Sequence, residues 1–172
     1  MSRFSDPEPL KASHPLEGFD CGVPSLNDWL HRNASQAAAA NSAKTFVVND
    51  QQQERIVAYH ALAAASVGHQ EATRRAAGGM PKHPIPAVLL ARLAVDSSVQ
   101  HRGLGAWLLR DAMLRTLTAA EEMAVRVLLV HAINDDAQAF YLRHGFEPSP
   151  TDPLNLQMLT KDIRAAVDHA PR

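Results

Sequence analysis

The stretch "VQHRGLGAW", Val99–Trp107, follows one long apolar run, "AVLLARLAVD" (Ala87–Asp96), and opens a second that reaches Leu117. The first run is near-continuous, as in a strand buried at the centre of a sheet. In the second, Leu104, Leu108, Met113, Leu114 and Leu117 predict a helix over Gly103–Leu117. Gly103 and Gly105 therefore stand where a strand turns into a helix, and a residue without Cβ lets backbone approach a ligand there. The first amides of a helix lack internal partners and carry the positive end of its dipole. Arg102 adds charge, and Gln100 can hydrogen-bond across the turn. Two glycines alone fit an ordinary helix start; with this strand and this helix around them, they favour a pyrophosphate.

Outward from that loop, the chain alternates helical and strand patterns. "VPSLNDWLHRNASQAAAA" (Val23–Ala40) predicts a helix from Pro24, extended by the alanine run and stopped at Asn41-Ser42. "KTFVVND" and "ERIVAYHALAAASV" predict a hairpin over residues 44–66, although alanines weaken its second strand. Closely spaced prolines make residues 68–86 an ordered loop with a short helix over 70–76. "VRVLLVHA" is a buried strand, "DDAQAFYLRHG" a short helix, "NLQMLT" a last strand and "KDIRAAVDH" a tail helix. The order implies an α/β (α+β) fold, a mixed central sheet with helices on its faces.

Length and composition bound the function. With 172 residues, the chain is expected to form a single domain, 1–172. No apolar stretch is long enough to span a bilayer, and the N-terminus has no signal-like run. The lone Cys21 excludes an internal disulfide, fits a reducing cytoplasm and is expected to be a small packing residue. A net charge of −1 gives no global pull toward nucleic acid, yet Arg74, Arg75, Lys82, His83 and Arg92 lie in a stretch without Asp or Glu. Nothing in the sequence pairs any histidine with an orienting acid, and no metal is expected.

The loop fits neither dinucleotide nor Walker patterns, because Leu108 replaces the third glycine and no Gly-Lys-Ser/Thr follows. What remains is Q-x-x-G-x-G/A, spelled Gln100, His101, Arg102, Gly103, Leu104, Gly105, Ala106. It resembles the coenzyme A pyrophosphate loop of the GNAT acetyltransferase superfamily. That resemblance implies a GNAT fold with splayed parallel strands, and acetyl-CoA as cofactor. The pantetheine arm would lie along Leu93, Ala94 and Val95. "NDDAQAFYLRHGF" resembles the GNAT segment in which Asn134 would contact the pantetheine or reacting centre and Tyr141 would face the thioester sulfur.

Acetyl transfer from a thioester needs a proton for the leaving thiolate, whose thiol has a pKa of about 8.5. Tyr141 is the candidate general acid, a role typically contributing about 10²–10⁴-fold. Backbone amides near Ala94 or Val95 would polarise the carbonyl. The sequence shows no obvious base, which suits a weakly basic acceptor such as an esterified amino acid. The chain from about Phe19 to Asp162 also resembles the TacT-like acetyltransferase toxins of type II toxin–antitoxin systems. Here Ala43-Lys44-Thr45-Phe46 stands where that family often shows Ser-Arg-Thr-Phe. The resemblance implies a cytoplasmic toxin that acetylates the α-amine of aminoacyl-tRNA, held by a ribbon-helix-helix antitoxin and commonly dimeric. Arg74, Arg75, Lys82, Arg92, Lys44 and Arg32 are then the candidates for holding the tRNA. The rival functions are a GNAT enzyme for a small amine or a protein N-terminus, and a non-catalytic acyl-CoA-binding regulator.

Overall fold

The computed structural model describes residues 2–169, which cluster into two compact units. The first runs to Ala63 and adds Ala91–Ala112; the second holds Ala64–Leu90 and the chain from Met113 onward.

In the first unit, β1 (Glu8–Pro9), β2 (Lys44–Asp50) and the body of β3 (Arg55–Val67) form an antiparallel ladder. Its register slips between Val48 and Asn49, a bulge. Pro24 opens α1 (Pro24–Arg32), as a residue with no amide to lose should. The expected single helix is in fact two, because Asn33 breaks the run before α2 (Ala34–Ala39). Asn41 then stops the helix in the left-handed region, φ 57°. Tyr59 anchors this core: its ring lies edge-on to Phe19 and stacks on Trp29, and its hydroxyl donates to the Leu26 carbonyl at 2.7 Å. Burial pushes the Tyr59 phenol well above its usual pKa.

The second unit contains α3 (Arg74–Ala77), β5 (Val127–His131), α5 (Asp135–Arg143), β6 (Glu147–Pro148), β7 (Asn155–Leu159) and α6 (Thr160–His169). The short helix comes later than the expected 70–76, because Thr73 caps it by accepting from the Ala76 amide. Val67, Ala72, Ala76, Ile85, Val127 and Leu159 form its core. Arg126, which the sequence reading passed over, donates to the carbonyls of Arg75, Ala76 and Gly78 and so ties down the end of α3.

Three elements pass from one unit to the other: β3, β4 (Ile85–Val95) and α4 (Leu104–Glu122). The strand order is β1-β2-β3-β4-β5-β7-β6, with β4 and β5 parallel. The mixed sheet with flanking helices is the expected class; β1 and β6, two residues each, were too short to leave a pattern.

Candidate active site

The β4–β5 register runs from Ala87 with Val127 to Leu90 with Val130 and goes no further. Beyond it, Ala91, Arg92, Leu93 and Val95 are only half-buried, where the sequence had suggested a strand buried throughout. Apolar side chains at half exposure on a strand that has lost its neighbour leave backbone groups able to pair with an extended ligand.

The chain then turns at Asp96 into a 3₁₀ turn, Ser97–Val99. Asp96 is 4% exposed and collects five donors: both arms of Arg55 (3.0 and 3.3 Å), the Asp20 amide, and the amide and hydroxyl of Ser98. Burial opposes its charge, yet the Arg55 guanidinium and these donors hold the carboxyl far below the ordinary carboxylate range. Gln100 completes the staple, its side-chain amide donating to Val95 O (2.8 Å) and Cys21 O (3.1 Å). The expected bond across the turn is therefore present, and it leaves Gln100 acting on the loop's shape. Cys21 is buried as a packing residue, and burial pushes its thiol above the usual value.

Past Gln100, His101 (φ 63°) and Gly103 (φ 84°) both take the left-handed conformation. A Cβ built on Gly103 would meet nothing, so its requirement is conformational. Gly105 has no positive φ and lies within α4. Trp107 is the first residue whose amide bonds back into the helix, to Gly103 O at 3.1 Å. The amides from His101 to Ala106 have no acceptor among the described residues. Together with the exposed Arg102 at the mouth of a 19-residue helix, they form an open row of donors matched to a diphosphate. The residues fit coenzyme A at that point.

In the second unit, Tyr141 is 6% exposed and its ring meets Phe140 (5.1 Å) and Phe146 (5.4 Å) edge-on. Burial alone pushes its phenol well above the usual value, so the group is a proton donor at every physiological pH. Its hydroxyl engages no hydrogen-bond partner among the described residues, unlike that of Tyr59. Asn134 caps α5, its side chain accepting from the Ala137 amide at 2.9 Å. That use was not anticipated, and it occupies the oxygen but not the amide nitrogen.

The candidate RNA-binding cations differ in state. In the first unit, Arg32 and Lys44 are exposed, and Lys44 Nζ reaches Ala38 O at 3.5 Å. Arg92 is half-buried with its guanidinium 4.2 Å over the Trp29 ring. Burial lowers its pKa, but guanidinium stays charged at any physiological pH. In the second unit, Arg74 and Lys82 are exposed. Arg75, by contrast, is committed: it bonds Asp162 (2.7 and 2.9 Å) and Glu147 (2.7 Å), and these carboxylates raise its pKa. The pairing of histidines with acids, which nothing in the sequence supplies, comes from the fold. Buried His60 lies 2.7 Å from Asp111 through Nε2, and His14 lies 2.7 Å from Glu8. Asp111 lies 51 residues from His60 in the sequence, and Glu8 six residues from His14.

The chain belongs to the GNAT acetyltransferase family: residues 41–148 match the Acetyltransferase (GNAT) domain. Within that class it is similar to a tRNA-acetylating toxin of Mycobacterium tuberculosis (strain ATCC 25618 / H37Rv), with 43% identity over 97% of this chain and 99% of that protein. Its structure is similar to that of AtaT complexed with acetyl-methionyl-tRNAfMet (TM-score 0.86, 26% identity, 94% and 98% of the two chains). It is also similar to a tyrosine-to-phenylalanine AtaT mutant toxin bound to acetyl-CoA and the C-terminus of the antitoxin AtaR (TM-score 0.81, 27% identity, 95% and 98% covered).

Proposed function

We propose that this chain is a toxin that moves an acetyl group from acetyl-CoA to the α-amine of an aminoacyl-tRNA and so blocks translation. The likeness over 97% of the chain to a tRNA-acetylating toxin supports the acceptor, and the acetyl-CoA-bound AtaT structure supports the donor. The observation that carries the chemistry is the row of unpartnered amides from His101 to Ala106 behind the Asp96 and Gln100 staple. We take residues 1–172 as one catalytic domain.

Acetyl-CoA supplies a thioester whose carbonyl accepts an amine and whose thiolate leaves. The amides of His101 to Ala106 and the Arg102 guanidinium hold its diphosphate. The backbone of Leu93, Ala94 and Val95 aligns the pantetheine arm and donates to the carbonyl oxygen. Asn134 contributes its free amide nitrogen to the same arm. Tyr141 Oη gives its proton to the departing sulfur and regains one from the nitrogen that has just been acylated. Esterification keeps the acceptor amine weakly basic, so water removes its first proton.

Arg32, Lys44, Arg92, Arg74 and Lys82 bind the tRNA backbone, with Arg75 a lesser contributor because its charge is engaged. The natural partner is a ribbon-helix-helix antitoxin, the toxin is a homodimer, and both work in the cytoplasm. No helix of the described residues is long and apolar enough to cross a membrane. The test is transfer of label from acetyl-CoA to charged tRNA. Label recovered with the RNA, and released with the amino acid, supports this reading; an RNA that stays unlabelled under single-turnover conditions overturns it.

A further inference from the structure

The second unit contains a cavity of about 180 Å³ that no step above has used. Its floor is the one face of the sheet shared by Leu129, His131, Asn155 and Gln157, residues that the β5–β7 register places opposite one another. Its rim is the segment from Ser66 to Glu71. The cavity lies at the carboxyl end of β5: His131, one of its walls, is the next residue after Val130, where pairing with β4 ends. Ligands of α/β sheets gather at such ends.

The rim is held in place from behind. The Glu71 carbonyl accepts both from Gln157 Nε2 and from Ser149 Oγ at 2.7 Å. Gln157, 3% exposed, returns the support by accepting from the Thr73 amide at 2.9 Å. The Glu71 backbone is thereby fixed while its carboxylate is left unengaged: among the described residues no ion pair or hydrogen bond takes it up. The carboxylate instead lies against Gly68, where an added Cβ would overlap Oε2. The cavity has no Lys or Arg among its walls, so its one permanent charge is negative. Just outside, Glu71 shares a wider surface depression with His69, Gln70 and Lys82.

An exposed carboxylate at the rim and an exposed ammonium beside it form a pattern that a ligand must mirror. The acceptor end of a charged tRNA has that pattern, an α-ammonium on the ester followed closely by phosphodiesters. Resting on the tRNA reading above, we infer that this cavity receives the aminoacyl end of the acceptor, with Glu71 binding its α-ammonium and Lys82 the adjoining phosphate. Glu71 is a specificity-determining residue: it distinguishes an amine from an uncharged group on the same ester. The proton leaves the bound amine afterwards, to water, before attack.

The experiment compares the whole protein with its Glu71→Gln and Gly68→Ala variants, on aminoacyl-tRNA and on the same tRNA carrying the α-hydroxy acid as an inhibitor. Glu71→Gln preserves the side chain's shape; Gly68→Ala displaces the carboxylate without removing it. Losing a charge-assisted hydrogen bond predicts a rise of about tenfold in the KM for aminoacyl-tRNA in Glu71→Gln. A smaller rise is expected in Gly68→Ala, with the KM for acetyl-CoA unchanged in both. The unaltered protein should prefer the amino ester to its hydroxy analogue, and Glu71→Gln should lose that preference. An unchanged acceptor KM and preference in Glu71→Gln overturns the cavity assignment while leaving tRNA acetylation intact. So does a change confined to acetyl-CoA. A parent protein that labels no charged tRNA removes the acceptor itself, and the inference with it.

Discussion

The loop from Asp96 to Ala106 and the surroundings of Tyr141 both end in groups left without partners, and they are built by opposite means. The loop is organised by polar bonds: a buried carboxylate gathers five donors, and a glutamine ties two carbonyls, so that six amides remain without an acceptor among the described residues. Tyr141 is organised by apolar packing, its ring against Phe140 and Phe146 and its hydroxyl without a hydrogen-bond partner among the described residues. A polar frame fixes backbone direction, which a diphosphate needs. An apolar frame desolvates, which keeps a phenol protonated. Binding and proton donation should therefore break separately.

The largest separation is expected from Tyr141→Phe, which removes one oxygen and leaves the packing. Acetyl transfer should fall by about 10²–10⁴-fold, with acetyl-CoA binding by calorimetry unchanged. Full toxicity of that variant in growing cells would dismiss the role. Next comes Asp96→Asn, which leaves Arg55 without its buried counter-charge and should cost about 3 kcal/mol of folding stability by denaturant titration. The same residue sets an acid limit. A carboxyl held below its ordinary value stabilises the fold above about pH 4, and that contribution drains away as pH falls through its lowered folded-state value. Asp50, whose charge is held first by the Arg3 side chain, acts in the same direction. Asp96→Asn should therefore flatten the acid limb of a stability–pH curve, and an unaltered limb would refute the assignment.

A milder effect is expected at Gly103. Alanine there keeps the space but must adopt φ 84°, at a cost of about 1–2 kcal/mol. The KM for acetyl-CoA should rise roughly tenfold with kcat nearly constant; a fall in kcat alone would contradict a binding role. The smallest effect is expected at Arg75. Because Asp162 and Glu147 already engage it, Arg75→Ala should lower kcat/KM for tRNA less than Arg74→Ala does, at low salt where such contacts weigh most. A reversed order would show that Arg75 exchanges its acids for phosphates.

Those residues also mark what can be read from a sequence. Leu104, Leu108 and Met113 announce α4 because helical spacing is local, and Gly103 announces the turn because backbone conformation is local. Arg55 with Asp96, His60 with Asp111 and Gln100 with Cys21 are 41, 51 and 79 residues apart, and no spacing rule joins them. The break at Asn33 stayed hidden because the alanines after it favour helix on either side. Glu71 was passed over for a similar reason: its charge matters only through Gln157 and Ser149, which hold its carbonyl from the far end of the chain.

The stacking of Arg92 on Trp29 makes the first unit its own optical sensor. The chain has two tryptophans, and among the described residues Trp29 lies under a guanidinium, at 4.2 Å. A cation so close to an indole alters its surroundings, so an Arg92 drawn off the ring by a polyanion should change the Trp29 emission without any attached dye.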